Sequence, residues 1–286
     1  ADNTGNMFEH SNSLQVFLGK KVALTQSGFA YSLLYPYTDN YLDDPRVSVE
    51  SKEEFVDALR GRLSGEIVRT RNPSLFIPFE LIGMTEREYP RSSHPEVYLS
   101  FLAIHDAQVK ALAQHILLQP LCARDILELS VEKGGTSVLA DGYLVDGTLE
   151  DEVKDFAFGL GVCLQMIDDL QDLEGDLRCG HRTLMTMGAA VAPLDALTNR
   201  LISFTTSVME LGEQFGSGDA RALLELSRRS CVFLVLEAVA RTMNKYTRDY
   251  VRALEGYSPL RFAYLKSLKE NLRQKRNVLR RFEAVV

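Results

Sequence analysis

The sequence predicts an all-α protein, built as a single large helical bundle. Apolar residues recur every three or four positions over most of the 286 residues, which is the period of an amphipathic helix. Alternating patterns bounded by turn pairs, which would predict strands, are nearly absent. With 45% hydrophobic and 25% charged residues, the chain can bury a core large enough for one big domain.

Proline and glycine mark where the predicted helices end or kink. Breaks are expected at Pro36, at Pro45, at Asn72–Pro73 with Pro78, from Tyr89 to Pro95, from Gly142 to Gly147 and at Ser217–Gly218. The predicted helices are 13–35, 37–44, 51–63, 95–118, 120–145, 150–176, 190–215, 218–256 and a basic segment at 259–283. No flexible linker or fixed-period repeat interrupts residues 1–286, so one domain is predicted.

Charge and composition exclude several classes of protein. A formal net charge of −7 and a pI near 5.4 disfavour nucleic-acid binding, which requires a basic surface. The sequence contains no run of about 18 consecutive apolar residues, so no transmembrane helix is predicted. Residues 1–15 lack a secretory signal pattern. Four scattered cysteines indicate reduced thiols, and a cytoplasmic location is expected. A homodimer is the commonest assembly for such a chain.

An acidic row follows one of the most apolar segments of the sequence. Asp168, Asp172 and Asp176 stand four residues apart, so their carboxylates share one face of a helix. Like charges at this spacing repel, and carboxylates that end a buried helix are costly to desolvate unless a cation binds them. Oxygen ligands without histidine or cysteine suit Mg²⁺.

A second acidic group lies about 130 residues upstream. Asp39 and Asp43 repeat the four-residue spacing, Asp44 follows directly, and aromatic residues surround all three. Two rows on separate helices could face one cleft and bind several Mg²⁺ ions against a diphosphate. The alternative is that both rows are solvated helix faces.

Both acidic rows resemble the metal motifs of the class I isoprenoid synthase family. Gln165-x-x-Asp168-Asp169-x-x-Asp172 is similar to the second aspartate-rich motif of prenyl synthases, and Asp168, Asp172 and Asp176 also occupy the ligand steps of the second terpene cyclase motif. Asp39-x-x-x-Asp43-Asp44 resembles the first motif, with the spacing of squalene and phytoene synthases. The resemblance implies a helical bundle that binds about three Mg²⁺ ions, with Mn²⁺ as a substitute.

The resemblance also implies residues that contact the diphosphate. Lys133, followed by Gly134 and Gly135, is placed like the lysine beside a helix break in prenyl synthases, and adjacent glycines permit such a break. The alternative is a plain turn between helices. The remaining residues expected near the diphosphate are Gln165, Arg178, Arg182 and the pair Arg248 and Tyr250.

Aromatic side chains could line an apolar pocket in which ring faces stabilise a carbocation. The candidates are Phe29, Tyr35, Tyr41, Tyr143, Phe156 and Phe158. Ordinary core packing is the alternative for each of them.

Together these features predict a Mg²⁺-dependent terpene synthase that ionises a C10 to C25 allylic prenyl diphosphate and cyclises the cation. Asp39, Asp43, Asp168 and Asp172 are its expected catalytic residues. The first alternative is a prenyltransferase, either head-to-head or chain-elongating; the absence of an Arg-Arg-Gly segment after Asp44 disfavours elongation. An alternative of another class is a helical protein that binds a phosphorylated ligand or a partner helix without catalysis.

Overall fold

The computed structural model describes residues 13–116, 122–215 and 218–268. All regular secondary structure in these ranges is helical, which confirms the all-α prediction. No helix within them combines the length and apolarity needed to cross a membrane. The basic segment predicted at 259–283 lies mostly outside the described residues.

The helices have the following bounds. After a helical turn at 13–17, they are α1 (Gln26–Asp43), α2 (Val49–Leu63), α3 (Phe76–Glu88), α4 (Pro95–Ile116), α5 (Ala123–Asp146), α6 (Asp151–Gln171), α7 (Leu173–Cys179), α8 (Leu184–Val191), α9 (Asp195–Glu213), α10 (Asp219–Arg241) and α11 (Arg248–Glu255), with a further helical segment at 262–268. Short 3₁₀ turns precede α3 at Pro73–Leu75 and follow α10 at Met243–Lys245.

The described chain divides into two compact units. The first contains the residues up to Gln165 together with Thr206–Leu226, and the second contains Met166–Thr205 and the residues from Ser227 onward. The boundary falls within α6, α9 and α10. The prediction of one domain over the whole chain stays a prediction.

The core of the first unit forms where α4 packs on α5 and α1 packs on α3. Phe55, Ile82 and Val97 are fully buried there. Burying side chains of this size contributes about 2 kcal/mol each relative to leaving them in water, so the apolar stripes predicted by the sequence become the interior of this unit.

The predicted break at Pro36 is wrong. Helix α1 runs through Pro36 without interruption, although this residue has no amide hydrogen to donate. Leu34 and Leu42, before and after it, are both buried. Packing on both sides of the proline therefore holds the helix together despite the lost hydrogen bond.

Helix α3 lies where the sequence predicts a break at Asn72–Pro73 with Pro78, and that prediction is wrong for Pro78. Pro78 lies in the first turn of α3, where a missing amide hydrogen costs little. The preceding 3₁₀ turn is capped by Asn72, whose side chain accepts a hydrogen bond of 3.0 Å from the Ser74 amide. Helix α8 was also missed; the Thr183 hydroxyl caps it by accepting from the Thr186 amide.

An ion-pair network joins α2, α3 and the segment between α3 and α4 in the first unit. The Glu86 carboxylate accepts hydrogen bonds from both terminal nitrogens of Arg62, one of them at 2.6 Å, and from Arg91 Nε at 2.7 Å. Arg91 also donates to the Leu63 carbonyl and stacks 3.8 Å from the Tyr98 ring centre. The hydrogen bonds from Arg62 are the largest cause that lowers the pKa of Glu86 to about 2.

We expect Glu86→Gln to destabilise the protein by about 1–2 kcal/mol at pH 7, after allowance for solvent screening. The folded-state pKa of Glu86 lies below the unfolded value of about 4.3, so its stabilisation is present above that value and is lost as the pH falls toward 2. The stabilities of Glu86→Gln and the wild type should therefore converge as the pH falls, and thermal unfolding from pH 7 to pH 2.5 measures this. Glu128→Gln, which removes an exposed ion pair with Arg124, is the control; equal effects of both variants at pH 7 would contradict the prediction.

Candidate functional site

The second acidic row begins inside α6 and continues past its end. Helix α6 ends at Gln171, Asp172 has φ −90° and ψ 0°, and α7 begins at Leu173. The single helix predicted for 150–176 is therefore divided at Asp172. The Asp172 amide nevertheless donates to the Asp168 carbonyl at 2.8 Å, and the Asp176 amide donates to the Asp172 carbonyl at 2.9 Å.

These two hydrogen bonds preserve the four-residue step of an α-helix across the break. Asp168 and Asp172 are exposed, Asp176 is half-buried, and Asp169 is buried. The row therefore presents two exposed carboxylates one turn apart, followed by a third that is partly enclosed.

The donor set of this row fits Mg²⁺ bound together with a phosphate ligand. Among the described residues, no three acidic, histidine or cysteine side chains are close enough to hold a metal ion together. Mg²⁺ commonly binds one or two carboxylates and completes its shell with water and substrate phosphates. Asp168 and Asp172 match that requirement, so a metal here would depend on a diphosphate for part of its coordination.

The cationic residues that follow the second row lie close to it in the chain. Arg178 is exposed, and its Nε donates to the Glu174 carbonyl at 3.1 Å. The His181 ring lies 3.9 Å from the Asp176 carboxylate. Arg182 is half-buried, and so is Gln165, the uncharged residue predicted to contact the diphosphate from before the row. Their roles as diphosphate ligands stay predictions.

In the first unit, Asp39 forms an ion pair with Lys133. The Lys133 ammonium donates to Asp39 Oδ1 at 2.9 Å, and both side chains are about one fifth exposed. The Gln108 amide lies 3.5 Å from the same oxygen and also donates to the Tyr35 carbonyl. The structure thus brings together two residues predicted for the site and adds Gln108, which the sequence did not indicate.

Burial by itself lowers the pKa of Lys133, but Tyr35 and the negative charge of Asp39 raise it above the ordinary value on balance. Asp43, which is exposed on the next turn of α1, adds to this effect. Lys133 is therefore a cation at neutral pH, held beside the first acidic row.

Asp44 forms an ion pair with Arg46, two residues later in the chain. Its carboxylate accepts from Arg46 Nε at 2.9 Å, from Arg46 Nη2 at 2.7 Å and from the Arg46 amide. The hydrogen bond from the Arg46 side chain is the main cause that lowers the pKa of Asp44 to about 2. A metal ion would have to compete with this guanidinium for Asp44.

A small cavity lies beside α1 in the first unit. Its lining includes Tyr31, Tyr35, Thr38, His105 and Gln108, and its volume is about 20 Å³. A space of this size holds about one water molecule. It is too small for a prenyl chain.

The predicted helix break at Gly134 and Gly135 is wrong, because α5 runs through both glycines. A Cβ atom on Gly161 of α6 would lie 2.1 Å from the Gly134 carbonyl oxygen, and one on Gly134 would lie 2.7 Å from the Gly161 carbonyl oxygen. A Cβ on Gly135 would lie 2.4 Å from the Phe158 ring. These glycines therefore permit a close crossing of α5 and α6.

The aromatic residues predicted to line a pocket occupy several environments. Tyr35 lines the small cavity, Tyr41 stacks on Phe55 with ring centres 4.2 Å apart, and Phe29 is 38% exposed. The others pack in the first unit: Tyr143 is buried, Phe156 lies between the rings of Phe17 and Phe215, and Phe158 lies against Gly135. Only Tyr35 of this set lines the cavity described above.

The predicted pair Arg248 and Tyr250 begins α11 in the second unit. Arg248 is exposed. The Tyr250 hydroxyl donates to Asn199 Oδ1 at 2.8 Å, and its ring stacks on Tyr246. Burial raises the pKa of Tyr250 to about 12, so the phenol stays protonated at neutral pH and keeps its hydrogen bond to Asn199.

Three buried polar features escaped prediction. Asp141 is 2% exposed within α5, and burial raises its pKa well above the ordinary value. Gln108 reaches Asp39 from α4. Glu237 and Arg241 of α10 meet Gln171 at the break in the second acidic row. The four-residue spacing of Glu237 and Arg241 was a usable signal, but nothing local indicated their contact with Gln171.

Comparison with protein-family models, with curated proteins and with solved structures finds no match for this chain. The candidate function therefore depends on the chemistry of the residues themselves.

Proposed function

We propose that the protein is a Mg²⁺-dependent terpene synthase that ionises an allylic prenyl diphosphate and cyclises the hydrocarbon chain. The observation that carries the proposal is the row Asp168, Asp172 and Asp176. Its α-helical step is preserved across a helix break, with two carboxylates exposed. This donor set suits Mg²⁺ shared with a diphosphate.

The pair of Asp39 and Lys133 supports the same chemistry from the first unit. It places a carboxylate of the first predicted metal motif next to Lys133, whose pKa is raised, so that the lysine is positively charged at neutral pH. Lysine is a common ligand of phosphate oxygens. We propose that Lys133 contacts the diphosphate and that Asp39 and Asp43 are Mg²⁺ ligands.

When bound, Mg²⁺ would neutralise the charge that develops on the diphosphate as it leaves. Asp168 and Asp172 would bind Mg²⁺ and orient the leaving group. Lys133 would donate to a diphosphate oxygen. The substrate then loses diphosphate, and ring closure of the cation precedes loss of a proton or capture of water. The prenyl chain is expected outside the small cavity beside α1, because that cavity holds only about one water molecule.

Incubation of the purified protein with Mg²⁺ and C10, C15, C20 and C25 allylic diphosphates tests the proposal. We expect cyclic hydrocarbons or alcohols, with release of diphosphate, and dependence of the rate on Mg²⁺. Asp168→Asn is expected to lower turnover roughly 100-fold, equivalent to about 2.7 kcal/mol of transition-state stabilisation. Asp155→Asn removes an exposed carboxylate from the same helix and is expected to leave turnover unchanged.

Parallel reactions with isopentenyl diphosphate separate the alternatives. Longer prenyl diphosphates or head-to-head products would identify a prenyltransferase instead of a cyclase. Absence of turnover with every substrate, with the folded protein still binding inorganic pyrophosphate, would support the non-catalytic alternative.

A further inference from the structure

The break between α6 and α7 lies within the second acidic row and is contacted by residues from α10. Gln171 is the last residue of α6, and the carbonyls at a helix end lack an amide four residues later in the same helix. The Gln171 carbonyl accepts a hydrogen bond of 2.5 Å from Arg241 Nη2. A cation at a helix C-terminus is also favoured by the helix dipole.

Glu237 closes this arrangement into a triangle. Its Oε1 lies 3.2 Å from Arg241 Nε, and its Oε2 accepts a hydrogen bond of 3.2 Å from the Gln171 side-chain amide. Glu237 is only 6% exposed. A buried carboxylate requires such partners, so it contacts both the arginine and the glutamine that form the other two corners.

The triangle restrains both the backbone and the side chain of Gln171. The planar guanidinium of Arg241 contacts the Gln171 carbonyl and Glu237 with different nitrogens, a geometry that a lysine cannot reproduce. Asp172, the next residue, has the non-helical ψ of 0° at which the helix breaks. Fixing Gln171 therefore fixes the point from which Asp172 continues the row.

We propose that Glu237 and Arg241 are positioning residues for the second acidic row. They hold the α6–α7 break in one conformation and so set the placement of the Asp168 and Asp172 carboxylates. The part of this inference that concerns Mg²⁺ rests on the proposed function. Residues that support metal ligands from behind commonly change metal affinity 10- to 100-fold when replaced.

Hydrogen exchange tests whether the pair holds the break. We expect Arg241→Met to increase exchange of the amides at 172–176 at least fivefold relative to the α9 amides at 195–205, with a smaller increase in Arg241→Lys. Residues 195–205 belong to the second unit, so normalising to them removes any uniform loss of stability in that unit. Arg252→Met, which removes an exposed arginine paired at 3.8 Å with Asp249, is the matched control. Equal exchange in Arg241→Met and wild type, after normalisation, would overturn the inference.

The Mg²⁺ dependence of inorganic pyrophosphate binding, measured by calorimetry, tests whether the pair positions the carboxylates. The Mg²⁺ concentration for half-maximal binding should rise about tenfold in Arg241→Met, rise less in Arg241→Lys and stay unchanged in Arg252→Met. A purely structural role would lower the melting temperature and leave this concentration unchanged, which would overturn the inference. If the wild-type protein shows no Mg²⁺-dependent binding or turnover, the proposed function fails, and the exchange comparison still decides whether the pair holds the break.

Discussion

Replacing Gly161 by alanine is expected to destabilise the protein by at least about 3 kcal/mol. The new methyl group would lie 2.1 Å from the Gly134 carbonyl oxygen and 3.1 Å from the Gly135 Cα atom. Both neighbours are backbone atoms of α5, so no side chain can rotate away to relieve the overlap. The two helices would have to separate, with loss of packing along their crossing.

Urea unfolding of Gly161→Ala beside Gly83→Ala measures this effect. Gly83 lies within α3 of the same unit, and a Cβ there would meet only the ends of two arginine side chains at 3.9 Å or more. Alanine at position 83 should therefore stabilise the protein by about 0.5–1 kcal/mol, through its higher helix propensity. A free energy of unfolding for Gly161→Ala within about 1 kcal/mol of wild type would show that α5 and α6 do not cross closely at this point.

Asp141→Asn is expected to stabilise the protein at pH 8 relative to the wild type. Asp141 is 2% exposed, and burial raises the pKa of its carboxyl well above the ordinary value. A carboxyl whose pKa is raised on folding destabilises the folded state at any pH above its unfolded pKa, because the unfolded chain ionises freely and the buried group does not. Asparagine has a similar shape and carries no charge at any pH.

The sign of this effect depends on pH. Because the folded-state pKa of Asp141 is raised, its contribution to stability is fully present below the unfolded pKa of about 3.9 and is lost as the pH rises through the folded value. The variant and the wild type should therefore converge near pH 4 and diverge toward pH 8. Thermal unfolding across that range measures the divergence, with Asp57→Asn, an exposed change on α2, as the control. A constant difference between Asp141→Asn and wild type at all pH values would contradict the assignment.

Local sequence patterns predicted most of the helical structure. The apolar period correctly indicated the all-α class. The single helix predicted for 218–256 is wrong, because α10 ends at Arg241 and α11 begins at Arg248 after the N-cap Thr247. The two wrong predictions at prolines show that the cost of a proline depends on its position in the helix. Pro78 stands in a first turn and is tolerated there, whereas Pro36 stands mid-helix and is held by packing.

The candidate site could be predicted only in part. The spacing of Asp168, Asp172 and Asp176 identified a carboxylate row, and the structure retains its helical step despite a break at Asp172. The adjacent glycines after Lys133 predict a helix break, because glycine weakens a helix. The structure explains these glycines by a neighbouring helix: Gly161 of α6 packs so closely against the α5 backbone that neither helix has room for a side chain at the crossing.

The sequence by itself determined the helical class, the two carboxylate rows and the acidic charge, because each follows from residue types at short, regular spacings. Only the tertiary structure decided that Lys133 pairs with Asp39, 94 residues away, and that Arg241 binds the carbonyl of Gln171, 70 residues away. It also decided that Asp141 is buried. Contacts and burial of this kind depend on which helix faces meet, and a periodic pattern along one helix specifies its buried face without specifying the neighbour that covers it.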